Sequence, residues 1–144
     1  MLLLAHLIAV SAYAGFQWTV RVLVYPQFDQ VPAAAFPGYE RAHQRRVSRV
    51  VGPLFAAQVL TSSWLVVDRP DGTPLGLALA AAALVALVLL VTAVGAVPLH
   101  RRLDAGWDAT VHRRLLRVDS LRVGLATAAW NGGTGSAPWV HSTS

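Results

Sequence analysis

Apolar residues run along this chain in blocks longer than a strand, with too few polar positions between them for a helix lying on a soluble core. The first block, Leu2 to Tyr25 (LLLAHLIAVSAYAGFQWTVRVLVY), is interrupted by His6, Gln17 and Arg21. About 20 apolar residues cross a hydrocarbon layer of about 30 Å, so the pattern predicts a first membrane span over 2–25. Trp18 and Tyr25 suit its interfacial end. Ala12-Tyr13-Ala14 also fits a signal-peptide cleavage site, but no positive charge precedes the apolar run, and the run continues past Gly15. Pro26, Pro32 and Pro37 then predict a turning loop. From Gly38 the pattern GYERAHQRRVSRV predicts an interfacial helix that runs into a second span over 50–67. Gln58, Thr61, Ser62 and Ser63 give that span a polar side, which should face other helices.

Asp68 to Pro74, DRPDGTP, is a tight polar turn joining antiparallel helices. The third block, 75–97, holds no charge, and its alanines at 78, 80 to 83 and 86 permit close approach of a neighbour. Pro98 is expected to end it. A second basic loop, LHRRLDAGWDATVHRR, leads to a short fourth span over 115–130. That span holds Arg117, Asp119 and Arg122, so a three-span protein with a surface helix is the alternative. Residues 131–144 are rich in Gly, Ser and Thr and are expected to be a disordered tail. The fold class expected is therefore all-α: one membrane domain, 1–130, built as a four-helix bundle.

Composition supports lipid as the solvent. The chain is 144 residues long, 55% hydrophobic and only 13% charged, where soluble domains carry about 25% charged residues. Mean hydropathy is +0.50. All twelve basic residues are Arg, and they lie between the apolar blocks. Membrane topology explains them better than nucleic-acid binding does. Arg41, Arg45, Arg46 and Arg49 flank one connection, and Arg101, Arg102, Arg113, Arg114 and Arg117 flank the other. The turn at 68–74 has only Arg69, against Asp68 and Asp71. The positive-inside rule then puts both Arg-rich loops in the cytoplasm, against anionic lipid head groups, and both termini outside. The absence of Cys excludes disulfides, thiolate catalysis and Cys-held metal.

Three charges fall inside the expected spans. Arg21, Asp119 and Arg122 lie at similar depth, and Asp119 and Arg122 share a helix face at i, i+3. Ionisable groups cost at least about 2.5–3.5 kcal/mol in mid-bilayer, so they should turn inward and pair. The expected buried cluster is Gln17, Arg21, Asp119 and Arg122. It serves either as an anion site or as a structural clamp from which Arg21 reaches back to the interface.

Glu40 and His43, at i, i+3, have the spacing with which carboxylate–histidine pairs hold iron in helical bundles. Asp108 and His112 are spaced i, i+4 in the other basic loop, near His100. Surrounding arginines would repel a cation, so neither a metal nor another cofactor is expected; Glu40, His43, Asp108 and His112 are the residues that would hold a divalent metal. His43, His100 and His112 are the candidate catalytic groups. His6 stands alone near the other end, and no second mid-span His could complete a haem site. His141 falls in the expected tail.

The segments WTVRVLVYPQF, YERAHQRRVSRVVGP, VPLHRRLDAGWD and HRRLLRVDSLRVGLATAAW resemble a group of small, uncharacterised four-helix bacterial membrane proteins, themselves distantly similar to anthrone-oxygenase-like membrane proteins. The resemblance covers roughly residues 13–130 and implies a four-helix membrane architecture. Tyr25, Pro26, His43, Arg46, Gly52, Pro53, Pro98, His100, His112, Arg122 and Trp130 match its motifs. Asp119 stands where the group would have Asn, and the sequence after Trp130 departs from a continuing basic helix. Three functions follow as expectations. The first is a bundle or complex subunit without catalysis of its own, assembled as a homo- or hetero-oligomer in the cell membrane. The second is a membrane oxidoreductase or oxygenase of an apolar small molecule. The third is a small-anion transporter, for which no internal repeat is found.

Overall fold

The computed structural model describes residues 1–135, and the expected tail from 136 onward lies outside the described residues. Four helices account for nearly all of the described chain: α1 (Leu2–Phe28), α2 (Phe36–Val67), α3 (Leu75–Leu103) and α4 (Ala109–Gly135). Connections of only a few residues force each helix to run antiparallel to the one before it. They close a ring in which α1 packs on α2 and α4, and α3 packs on α2 and α4. The first three helices are long and apolar enough to cross a membrane. The fourth, with Asp119 and Arg122 inside it and a Gly-rich end, does not meet that description. It packs along α1 and α3 as a full member of the bundle, rather than lying apart as a surface helix.

The helices are longer than the hydrophobic blocks. The loop expected from Pro26 shrinks to 29–35, and the one expected from Leu99 shrinks to 104–108. The second Arg-rich segment instead forms the end of α3 and the start of α4, while the first is the amphipathic start of α2, as the pattern from Gly38 predicts. In α2, Glu40 turns inward while Arg41, Arg45, Arg46 and Arg49 stay exposed. Asp108 starts α4, its Oδ1 accepting from the backbone N–H of Thr110 at 2.7 Å and of Val111 at 3.1 Å. These two bonds, Val111's first, hold its carboxyl below the ordinary range. At the other end, α4 continues through Asn131 to Gly135, five residues past the expected start of the tail.

Neither Pro26 nor Pro98 breaks its helix. Each is preceded by one π-helical segment: Val20–Val24 in α1 and Thr92–Ala96 in α3. The amide of Tyr25 reaches the Val20 carbonyl, and that of Val97 reaches the Thr92 carbonyl, each an i to i+5 bond. A proline supplies no N–H, and its ring crowds the carbonyl four residues back. The wider π turn shifts the bonding frame just ahead of the ring, so the helix continues.

Two clusters fill the interior. Tyr13, Ala14, Val88 and Ala126 pack at mid-bundle. Phe28, Phe36, Leu103, Val111 and Leu115 pack beneath the Arg-rich end with Trp107 against them. Between them α3 and α4 touch at Gly95. A Cβ at that position would lie 2.9 Å from Val118 Cγ1. Gly95→Val should therefore lower stability by about 1–3 kcal/mol through overpacking. Adding Val118→Ala should restore most of it, as read by a double-mutant cycle of unfolding in detergent; equal losses with and without Val118→Ala would refute the contact.

Candidate functional site

A cavity of about 290 Å³ opens inside the Arg-rich half of the bundle. All four helices line it: Gln17 and Tyr25 from α1, His43 from α2, His100 from α3 and Arg122 from α4. The π segments explain how α1 and α3 contribute twice. Eight residues of α-helix turn about 800°, which leaves residues 17 and 25 about 80° apart. One residue absorbed in a π turn makes the interval equivalent to seven, about 20° from eclipsed. Gln17 and Tyr25 therefore share a face, and so do Thr92 and His100, which are also eight apart and both line the cavity.

Glu40, His100 and Tyr25 form a hydrogen-bonded chain beside this space. Glu40 is completely buried. Its Oε1 lies 2.5 Å from His100 Nδ1, and His100 Nε2 lies 3.3 Å from the Tyr25 hydroxyl. A carboxylate can only accept, so Nδ1 carries the proton; in the neutral ring Nε2 then accepts from the phenol. Gln44 steadies the carboxylate, donating to Glu40 Oε1 at 3.1 Å and to Asp104 Oδ1 at 2.8 Å. The His43 ring stacks on His100 with centroids 5.9 Å apart.

The charged cluster forms a second network. Gln17 Nε2 donates to Asp119 Oδ1 at 3.1 Å, Arg122 Nη2 donates to Gln17 Oε1 at 3.1 Å, and Arg122 Nη1 lies 3.5 Å from Asp119 Oδ1. Gln17 and Asp119 are fully buried. Arg21 stays half-exposed and acts on Asp119 through its charge alone. Its long side chain reaches the bundle surface, as the clamp reading allowed.

The metal-type pairs are not brought together. Glu40 pairs with His100 rather than with His43, and Asp108 is used as a helix cap. His112 is nearly buried, stacks on Phe28 at 5.7 Å and faces Asp29 Oδ1 at 3.3 Å. Among the described residues no group of three His, Cys, Asp or Glu side chains is placed to hold a metal ion. At the far end His6 Nδ1 lies 2.9 Å from the Thr61 hydroxyl, in a helix-to-helix bond. Gln58 and Ser62 are also buried, as the polar side of α2 predicted, whereas Ser63 is exposed. The missed members are Gln44, Asp104 and the hydroxyl of Tyr25. Gln44 was accessible through its i, i+4 spacing to Glu40. No spacing connects residues 25, 40 and 100.

No family model, no curated protein and no solved structure matches the chain.

Two predictions follow from these contacts. Asp119→Leu should destabilise the bundle by about 3–5 kcal/mol by leaving Arg122 buried and unpaired. Asp119→Leu with Arg122→Met should be markedly less destabilised than Asp119→Leu alone. An unfolding titration in mixed micelles that ranks the double variant lower would show that the pair is not the unit. The second concerns His112, whose burial holds its imidazole below the ordinary value, against the opposing pull of Asp29. A base with a depressed pKa gives stability that is complete above its unfolded value, about 6.5, and lost as the pH falls toward the folded one. The Arg-rich end should therefore loosen on mild acidification, read as faster amide exchange in residues 109–116. His112→Phe should show no such pH response.

Proposed function

We propose that this protein is a four-span integral membrane bundle whose Arg-rich half houses an acid–base site for a small, largely apolar molecule. The observation that carries this reading is the Glu40–His100–Tyr25 chain opening on a cavity enclosed by all four helices. The buried carboxylate orients an imidazole toward a hydroxyl in the cavity wall, the arrangement general acid–base chemistry requires. In the proposed reaction Tyr25 exchanges a proton with the ligand, His100 Nε2 takes up or returns the phenolic proton, and Glu40 fixes the ring and balances the imidazolium. His43, against His100 and Tyr25, shapes the pocket. This narrows the expected oxidoreductase or oxygenase to its proton-transfer step, and it makes His112 a packing residue rather than a catalytic one.

The topology proposed with it keeps both termini outside and both Arg-rich connections in the cytoplasm, where the arginines lie against anionic head groups. The exposed apolar side chains support lipid contact. Ile8, Val22 and Leu23 on α1, Leu60 on α2, and Leu79, Leu90 and Val94 on α3 all face outward.

Proton transfer can be tested before any natural substrate is known. Protein in liposomes is incubated in deuterated buffer with an apolar enolisable ketone such as 2-tetralone, and carbon-bound deuterium is followed by NMR. Wild type should accelerate exchange over empty liposomes. Tyr25→Phe and His100→Ala should each remove about 10²–10⁴-fold of that acceleration, and Glu40→Gln should remove less. Exchange no faster with protein than with lipid alone would refute the reading.

A further inference from the structure

The relay occupies one part of the cavity wall, and another part is a guanidinium. Arg122 lines the cavity and is only 6% exposed. Gln17 and Asp119 hold two of its nitrogens, as described above. Asp119 is not part of the cavity wall, so the carboxylate steadies the arginine without facing a ligand. Arginine has five N–H donors in a planar fork. Two are used in this network; the Nε has no partner but is itself covered, and the side chain meets the cavity through the small part of its surface that stays open. A buried cation with unspent donors at the wall of a cavity is a site for an acceptor that arrives with the ligand.

We infer that Arg122 is an oxyanion subsite: it binds the carboxylate, enolate or phenolate oxygen of a small, flat, otherwise apolar ligand. This rests on the proposed reading of the cavity as a small-molecule site and adds the charge its ligand carries. The rings of Phe16, Tyr25, His43 and His100 line the space beside the guanidinium and suit a planar unsaturated body. Arg122 and Tyr25 line the same cavity. Negative charge that develops on the ligand as its proton leaves toward Tyr25 therefore meets a fixed, desolvated cation. The aspartate behind it keeps the empty site close to neutral and the fork in one orientation. Lysine would supply the charge without the fork.

The test compares 4-fluorobenzoate with its neutral isostere 4-fluorobenzamide, titrated at pH 7 by fluorine NMR into the full chain in phosphatidylcholine nanodiscs. The benzoate should bind at least tenfold more tightly. Arg122→Lys should retain part of the preference, and Arg122→Gln should lose it. Because Arg122→Gln can fail to fold, wild type is also labelled at arginine Nε, where benzoate and not benzamide should shift the buried Arg122 resonance. Equal affinity for acid and amide, or an Arg122 resonance unmoved at saturating benzoate, overturns the inference. Displacement of benzoate by phosphatidylglycerol at matched concentration would assign the cation to a lipid head group and overturn it too. Benzoate preference without ketone exchange supports the subsite and sinks only the acid–base reading; ketone exchange without benzoate preference does the reverse.

Discussion

Asp119 and Arg122 sit on the one helix of the four that is not apolar enough to cross a membrane by itself, and the other helices are arranged to cover them. The guanidinium, the carboxylate and the Gln17 amide exchange hydrogen bonds among themselves, so α1 and α4 are joined at one depth. An ionised group exposed to hydrocarbon is costly enough to eject a helix of this kind. Turning the pair inward removes that cost only if the partner groups are already in place. The network therefore selects one rotation of α4 and one height for α1. That choice sets Arg122 against the cavity and brings Val118 down onto Gly95.

The two π segments perform the complementary task within a helix. In α1 the residues before the wide turn aim Gln17 at Asp119, and those after it aim Tyr25 at His100. In α3 the same device precedes Pro98 and returns His100 to the inner face. The prolines and the site are thus connected, because the irregular turn that accommodates each ring also rotates a functional side chain into the cavity. Irregular helical turns of this type recur beside functional sites for the same reason.

Much of the architecture was legible in the sequence. The three long apolar blocks, the DRPDGTP turn, and the pairing of Gln17, Asp119 and Arg122 all follow from length, turn chemistry and the cost of buried charge. Pro26 and Pro98 misled, because proline usually ends a helix and no sequence mark distinguishes a proline that follows a π turn. The second basic connection is shorter than its charge suggests, because charge does not distinguish a loop from the outer face of a helix: Arg101, Arg102, Arg113 and Arg114 are exposed on helical turns that bury Leu103, Val111 and His112. Arg21 was grouped with the cluster on depth alone, but a side chain of that length can leave its backbone position for the surface. The Glu40–His100–Tyr25 chain joins three helices through hydrogen bonds between residues 60 and 75 positions apart, and only the folded arrangement reveals it.

The wall of the cavity has a further consequence. Phe28, Phe36, Trp107 and His112 pack ring against ring, and Phe28 backs Tyr25 and His43 in the cavity wall. The solvent-accessible part of that wall lies between α2 and α3, at Ser48, Val97 and Arg101. With the bundle in a bilayer as proposed, an incoming molecule arrives sideways, already dissolved in the leaflet. Its effective concentration is then set by oil–water partitioning and by the volume of lipid present. Saturation curves for such a site scale with moles of ligand per mole of lipid, and diluting the sample with buffer at a fixed lipid ratio leaves occupancy of a strongly partitioned ligand almost unchanged.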